Sequence, residues 1–383
     1  MTHSIDGFLS RAERDRVLGK DGLCRRLPRK VYSDPDFHAL EYRAWLDRTW
    51  LMVGRAHDIP QPGEVMPVPG HPVFLVRDQE HNIRAFYNSC RHRGHELVSE
   101  PCNVGPSLVC PYHHWTYELN GRLRSATHFA GYRKHKHPQL DPDAFGLKPI
   151  RTAVWHNWIL INVDGEAPPI EDFVRPLASY YADVDFSHIT HFATVCRHPL
   201  GVNWKTAMEN NIEPYHVPMV HPDTAGGQPF DNHRIIDDGP LVGCAVDIEG
   251  SRFTNRPAEK HNDHLDSSGR FVLRVPNLYL ASHAPDKLVD SLILPDREDP
   301  LKCWISHACY STSGTEMKQT EIDIWRDIQQ QVLDEDVAVL EGVARGFRAP
   351  VMDDGGVISP AWESCVSGFY RSLLGALDAG EIV

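Results

Sequence analysis

Cys90, His92, Cys110 and His113 occupy two short runs, Ser89-Cys90-Arg91-His92-Arg93-Gly94-His95 and Val109-Cys110-Pro111-Tyr112-His113-His114-Trp115. The pattern is C-x-H, seventeen intervening residues, then C-x-x-H. Two thiolates and two imidazoles in this order suit a [2Fe–2S] cluster whose first iron takes the Cys and whose second takes the His. Imidazole ligation raises the reduction potential above that of an all-Cys cluster, so such a centre accepts single electrons and passes them on. A structural zinc ion is the competing reading, since Cys2His2 also suits tetrahedral Zn²⁺. The C-x-H spacing is tight for a zinc finger or ribbon, whose first pair is usually separated by two to four residues. Pro111 and Trp115 beside the second pair are expected to shield a cluster from water and so tune its potential.

A second run, Asn203 to His221, carries another set of candidate ligands. Glu209, Glu213 and His216 stand at i, i+4 and i+7, a spacing that predicts one helical face. His221 lies five residues past His216, and Pro218 between them predicts a break that turns His221 inward. Two convergent His need one carboxylate to complete the facial triad of a mononuclear non-haem Fe(II) site. Between Ile322 and Phe347 an apolar stripe runs Trp325, Ile328, Val332, Val339, Val343 and Phe347, and Asp336 occupies the remaining stripe position. A carboxylate aimed at an apolar core is costly unless it is paired or bound to metal, which singles out Asp336. Its neighbours Asp334 and Glu335 point off the stripe and read as solvated charges. Glu209 and Asn210 read equally as outer groups of the iron site or as helix packing, while His95, His114, Trp204, Trp304, Tyr279 and Tyr310 read as surface or core residues.

The elements that must position these residues fall into two textures. A helical pattern runs from about Phe37 to Leu51. Short β-type runs follow, Val73–Val76 and Ile83–Tyr87, with a polar hairpin loop at Gln79–Asn82 and a turn at Leu119–Leu123. Both candidate cluster loops fall among these strands, and a last pair near Val154 to Val163 closes a small all-β domain. Pro168, Pro169 and Pro176 mark a joint, beyond which strands at Phe271–Val275, Leu278–Ala281 and Trp304–Tyr310 mix with long helices.

The 383 residues leave room for two domains, and a formal charge of −13 argues against nucleic acid or an acidic membrane surface as partner. Nine cysteines in an odd, unpaired pattern do not read as a disulfide scaffold, and Cys102, between the ligand runs, reads as a loop residue. The run Met1 to Asp6 has no apolar signal region and no stretch approaches a membrane span, so the cytoplasm is the expected location.

Taken together, these motifs resemble the Rieske non-haem iron oxygenases, specifically their oxygenase component or α subunit. The likeness runs from Leu27-Pro28 to Trp362-Glu363. It implies an α+β protein: an antiparallel β Rieske domain and a helix-grip (START-like) catalytic domain with a long antiparallel sheet. The expected division is an N-terminal segment at 1–40 packing on the catalytic domain, a Rieske domain at 41–165 and a catalytic domain at 166–383. The resemblance implies Cys90, His92, Cys110 and His113 for the cluster and His216, His221 and Asp336 for a mononuclear Fe(II). It also implies a homotrimer, with Glu213 bridging a cluster His of one subunit to an iron-ligand His of the next. O2 is the implied co-substrate. NAD(P)H-derived electrons arrive through a separate ferredoxin or flavin reductase, since no G-x-G-x-x-G fingerprint follows a strand.

Two departures bear on the substrate. The bridging acid is Glu213 where ring dioxygenases commonly have Asp, and His114 stands where Gly is frequent. With Tyr112–Tyr117 and Ser359–Glu363, these cues are similar to the choline monooxygenase and betaine demethylase branch. The implied reaction is hydroxylation or oxidative N-demethylation of a small substrate, with quaternary ammonium compounds ranked first. Hydroxylation, dihydroxylation or O-demethylation of an aromatic substrate is the alternative.

Overall fold

The computed structural model describes residues 5–225, 228, 232–246, 269–284 and 286–379, so the ends of the chain, Met1–Ser4 and residues 380–383, lie outside it. The described chain forms two compact units, one of Met52–Ala167 and one of Met1–Leu51 with Pro168–Val383.

The smaller unit is all β. Its larger sheet joins β1 (Leu51–Arg55), β2 (Glu64–Pro67), β3 (Val73–Arg77), β4 (Ile83–Tyr87) and β5 (Cys102–Asn103). A three-stranded sheet follows, made of β6 (Ser107–Val109), β7 (Trp115–Glu118) and β8 (Leu123–Ala126). The long returning strands β9 (Pro149–Trp155) and β10 (Trp158–Asn162) complete the larger sheet in the order β1-β10-β9-β4-β3-β2-β5. The strands that the alternation pattern predicted at 73–76 and 83–87 are β3 and β4, paired antiparallel with Phe74 opposite Phe86. Gly121 closes the β7–β8 turn at φ 93°, and a Cβ there would stand 2.4 Å from the Phe86 ring, so only glycine fits. One core cluster holds Phe74, Phe86, Leu108, Trp115 and Tyr117 together with Cys90 and Cys110. The cysteines are thus built into the wall of the hydrophobic core.

In the larger unit the N-terminal part forms α1 (Arg11–Val17), α2 (Lys30–Ser33) and α3 (Pro35–Glu41), followed by a wider helical turn at Tyr42–Leu46. Residues 41–51, which the sequence placed with the β domain, therefore sit in this unit, and the helical pattern stops before Leu51. After α4 (Ile170–Tyr180), strand β11 (Thr190–Leu200) leads into α5 (Trp204–Ile212) and the short α6 (Val217–Val220). Strands β12 (His233–Asp238), β13 (Leu241–Val246), β14 (Gly269–Arg274), β15 (Leu278–Ala284), β16 (Lys287–Pro295) and β17 (Cys303–Ser311) then form an antiparallel sheet with β11, ordered β11-β17-β16-β15-β14-β13-β12. The long α7 (Gln319–Gly346) and α8 (Ser364–Ala379) complete the unit.

Helix α5 is held by buried charge. Lys205, fully buried, lies 2.7 Å from the fully buried Glu41 carboxylate, and Arg26 Nε donates to Glu209 at 2.8 Å. Tyr32 adds a hydroxyl donor to Glu209 at 2.5 Å. Breaking one partner of such a buried pair costs several kcal/mol, on the order of 3–5, because it strands the other charge. These contacts resolve one expectation: Glu209 faces Arg26 and Tyr32 and serves to fix the helix. Trp204 packs on Phe369 at 5.7 Å between ring centroids, a core role as the sequence predicted.

Candidate functional site

The two cluster loops of the smaller unit are built to one plan. In each, the Cys amide donates to the carbonyl five residues on, Cys90 to His95 and Cys110 to Trp115, both at 2.8 Å. In each, the Cys carbonyl accepts from the amide four residues on, Gly94 at 2.9 Å and His114 at 3.0 Å. That closing residue takes a left-handed conformation, φ 74° at Gly94 and φ 54° at His114. His114 thus fills a position for which glycine is the natural choice, which is the departure noted in the sequence. Among non-glycine residues Asn, Asp and His tolerate this region best.

The loops bring the His92 and His113 rings to 4.6 Å between centroids, and Trp115 stacks on His92 at 4.8 Å with 6° between planes. Pro111, expected to shield this place, is exposed in the chain, and the cover comes from Trp115. Tyr117, which the sequence did not single out, holds the first loop: its hydroxyl accepts from Arg91 N at 3.0 Å and lies 3.2 Å from Cys90 Sγ. Burial raises the Cys110 thiol, and the adjacent Cys90 raises it further. Burial likewise depresses His92, with His113 adding to the effect, and its buried Nδ1 has no hydrogen-bond partner among the described residues. The Cys110 thiol and the His92 imidazole resist charging, and with Cys90, His113 and a ring nitrogen left over beside them they fit a positively charged metal cluster.

In the larger unit His216, His221 and Asp336 converge, each offering one ligand atom, with all three atoms within 4.8 Å of one another. They arrive by a route different from the predicted helical face. Helix α5 ends at Ile212, and Glu213 is extended (φ −107°, ψ 146°) because Pro214 follows it. Pro218 lies in the first turn of α6, where its missing N–H costs nothing, and His221 caps that helix. The break therefore falls before His216, and His216 and His221 flank a single short helix. On α7 the buried residues are Gln329, Leu333, Asp336 and Leu340, so Asp336 does point inward, although the deepest apolar neighbours are the leucines.

The nitrogens that face the carboxylate are both Nε2. His221 Nε2 lies 3.1 Å and His216 Nε2 3.5 Å from Asp336 Oδ1, which also accepts from Asn210 Nδ2 at 2.8 Å. Each ring turns its other nitrogen to a carboxylate: His216 Nδ1 meets Glu213 at 2.5 Å and His221 Nδ1 meets Glu335 at 2.7 Å. Glu335 also accepts from Thr224 Oγ1 at 2.9 Å and from Gln331 Nε2. The sequence read Glu335 as a solvated charge, and the structure corrects that. The stripe argument weighed only the buried face of α7, whereas the partner of Glu335 comes from the loop after α6.

Burial disfavours the charged form of all three groups, yet their mutual contacts prevail. Asp336 and Glu213 hold the His216 imidazolium up to about 10, Asp336 raises His221, and the two imidazoles hold Asp336 well below its usual range. A buried cluster that retains protons between carboxylates in this way has room for a cation, and two neutral imidazoles with one carboxylate fit a divalent iron. Carboxylates on both outer nitrogens would present the Nε2 lone pairs inward.

The triad lines a cavity that opens toward solvent. Its floor is the inner face of the sheet. Cys244, Phe271, Ala281 and Val289 lie in cross-strand register on β13 to β16 and form an apolar row. Two residues along, Tyr279, Ser291 and His307 form a parallel polar row. Tyr279 is thus a cavity wall where the sequence read core, while Tyr310 is core, with its hydroxyl 2.5 Å from Asp290.

A mixed-ligand cluster site and a two-His, one-carboxylate site in one α+β chain define a class of iron oxygenase. The profile of the Rieske [2Fe–2S] domain matches residues 49–136, and that of the ring-hydroxylating α subunit catalytic domain matches residues 175–379. The chain belongs to the ring-hydroxylating α subunit family. A glycine betaine monooxygenase oxygenase subunit from Chromohalobacter salexigens is 36% identical over 199 residues, covering 51% of this chain and 43% of the relative. The matched region is thus less than half the length of that relative. The chloroplastic choline monooxygenase of Atriplex hortensis is 27% identical over 345 residues, 87% of this chain and 74% of the relative. The crystal structure of a quaternary ammonium Rieske monooxygenase superposes with a TM-score of 0.78 at 20% identity, covering 95% of this chain and 98% of that one. That likeness shows the same fold, as expected from the sequence.

Proposed function

We propose that this chain is the oxygenase component of a Rieske monooxygenase that hydroxylates or N-demethylates a quaternary ammonium compound. Cys90, His92, Cys110 and His113 hold the [2Fe–2S] cluster, and His216, His221 and Asp336 hold a mononuclear Fe(II). The cluster supplies single electrons and the ferrous iron supplies O2 activation when bound. The chain's own residues do the rest. Glu213 and Glu335 keep the ligand imidazoles in one tautomer and orientation, and Asn210 steadies the Asp336 carboxylate. The apolar row under the cavity offers the carbon skeleton of the substrate an apolar bed beside the triad.

The observation that carries this reading is the convergence of His216, His221 and Asp336 on a cavity floored by the sheet. The substrate class rests on the named activities of the relatives. One O2, two electrons and two protons place one oxygen in a C–H bond and the other in water; hydroxylation of an N-methyl group then releases formaldehyde and the demethylated amine. The electrons originate in NAD(P)H and arrive through a separate ferredoxin or flavin reductase. In a homotrimer, Glu213 would link a cluster histidine of one subunit to His216 of the next.

Iron and acid-labile sulfide analysis tests the metal assignment: two irons and two sulfides in the cluster plus one further iron, with zinc alone overturning it. O2 uptake with a surrogate reductase tests the substrate class. Uptake with choline or glycine betaine, coupled to formaldehyde from an N-methyl group or to a hydroxylated or aldehyde product from another carbon, supports the reading, and uptake only with benzoate or naphthalene replaces it with aromatic hydroxylation. Glu213→Gln should slow cluster reoxidation in a single turnover; an unchanged rate removes its bridging role.

A further inference from the structure

Between Leu119 and Leu140 the chain carries five Lys or Arg, three His and no Asp or Glu, against a formal charge of −13 for the whole. Arg122 pairs with Asp143 at 3.0 Å. Arg124, Arg133, Lys134 and Lys136 are exposed and have no carboxylate partner among the described residues. Residues 128–137 form a turn closed by its own hydrogen bonds. Ala130 N donates to the Lys134 carbonyl at 2.9 Å, Arg133 N to His128 Nδ1 at 2.8 Å, and His128 N to His135 Nδ1 at 3.0 Å. With Nδ1 taken as an acceptor, the neutral ring carries its proton on Nε2, which is then a donor with no lone pair for a metal. The turn thus offers cations and N–H donors, a surface suited to carboxylates. It also touches the cluster site. Phe129, 43% exposed, meets Trp115 edge to face at 5.7 Å, and Trp115 stacks on His92 at 4.8 Å. Two ring contacts therefore separate this surface from His92.

We infer that the turn at 128–137 is the docking surface for a ferredoxin-type electron donor that presents an acidic face. Arg133, Lys134 and Lys136 draw in that face and fix its orientation, as unpaired cations of one sign do for a partner of the other. Phe129 gives the seated donor a route through Trp115 to His92. One electron leaves the reduced donor and is taken up by the oxidised cluster, with no bond made or broken. A second copy of this chain, itself negatively charged, is the rival occupant. The continuous ring contact from the exposed Phe129 to His92 favours the donor, because a contact between copies has no need of it. The inference rests on the cluster reading of Cys90, His92, Cys110 and His113, and the controls below separate the two.

The test uses the full-length holoprotein and a plant-type [2Fe–2S] ferredoxin, an acidic protein whose potential lies below that of a Rieske centre. Calorimetry with the oxidised ferredoxin should show binding to the wild type that weakens at least about tenfold between about 50 mM and about 500 mM salt. Arg133→Glu, Lys134→Glu and Lys136→Glu combined should weaken it at least about tenfold at low salt. Reduced ferredoxin should bleach the visible band of the variant's cluster more slowly by a similar factor, while dithionite bleaches wild type and variant alike. The salt series needs no variant, so a substitution that fails to fold does not shelter the inference. No binding to the wild type, binding indifferent to salt, or unchanged binding in the variant overturns the docking surface. So does a variant whose oligomeric state changes in light scattering, which assigns the turn to a contact between copies. A wild-type protein without a band that dithionite bleaches overturns the cluster reading and this inference with it; normal bleaching by dithionite with no effect of the charges overturns the inference alone.

Discussion

The two metal centres proposed here are built in opposite ways. The cluster ligands come from residues 90–113, on two loops that each close on themselves through the same pair of backbone hydrogen bonds. The triad takes two histidines from either side of α6 and its carboxylate from the distant α7. In the first case the backbone of each loop orients its own ligands, and side chains such as Tyr117 and Trp115 only trim the result. In the second, backbone bonds do not suffice: Glu213 grips His216 from its own segment, while Glu335 of α7 grips His221 and Asn210 of α5 holds Asp336. A locally closed site should therefore tolerate loss of a neighbouring side chain better than one assembled from three segments.

Substitutions can break or sharpen that contrast. The largest effect is expected from Asp336→Ala, which removes the carboxylate shared by both Nε2 atoms. Product formation should fall by more than about 100-fold while the visible spectrum of the cluster is retained. Loss of the spectrum as well would show that the two sites are not separately built. Glu335→Gln comes next. By weakening the carboxylate grip on His221 it should lower the affinity for added Fe(II) by about 10- to 100-fold, read by metal titration of apo protein. An unchanged affinity would mean that α6 orients His221 unaided.

On the cluster side the expected effects are smaller. Tyr117→Phe deletes the hydroxyl beside Cys90 Sγ, a bond that favours the more negative, reduced cluster. The potential should fall by about 60 mV, equivalent to roughly 1.4 kcal/mol, with the iron content intact. A cluster that fails to assemble in this variant would contradict the self-closing loop. Smallest of all, His114→Gly relieves the left-handed strain but loosens the unfolded chain, and the two terms oppose. Unfolding of the smaller unit should shift by less than about 1 kcal/mol in denaturant titration.

The same contrast explains what could be read without coordinates. Cys90-x-His92 and Cys110-x-x-His113 announce themselves because a locally closed site leaves its ligand spacing in the sequence. The strands at 73–76 and 83–87 were legible from alternation, and the long helix bearing Asp336 from its apolar period. The helical face assumed for Glu213 and His216 was not real, because Pro214 forces Glu213 out of the helix and local steric exclusion outweighed the i, i+4, i+7 periodicity. Glu335 was misread because its outer face looks solvated until the loop carrying His221 and Thr224 folds over it.

By itself, then, the sequence determined the family, the α+β class, the local ligand spacings and the inward carboxylate on α7. These depend on chemistry and periodicity within a few turns of chain. Only the tertiary structure decided which carboxylate orients which histidine and which strand residues share the cavity floor. Those outcomes depend on cross-strand register and on contacts between segments far apart in sequence, which no short window of residues encodes.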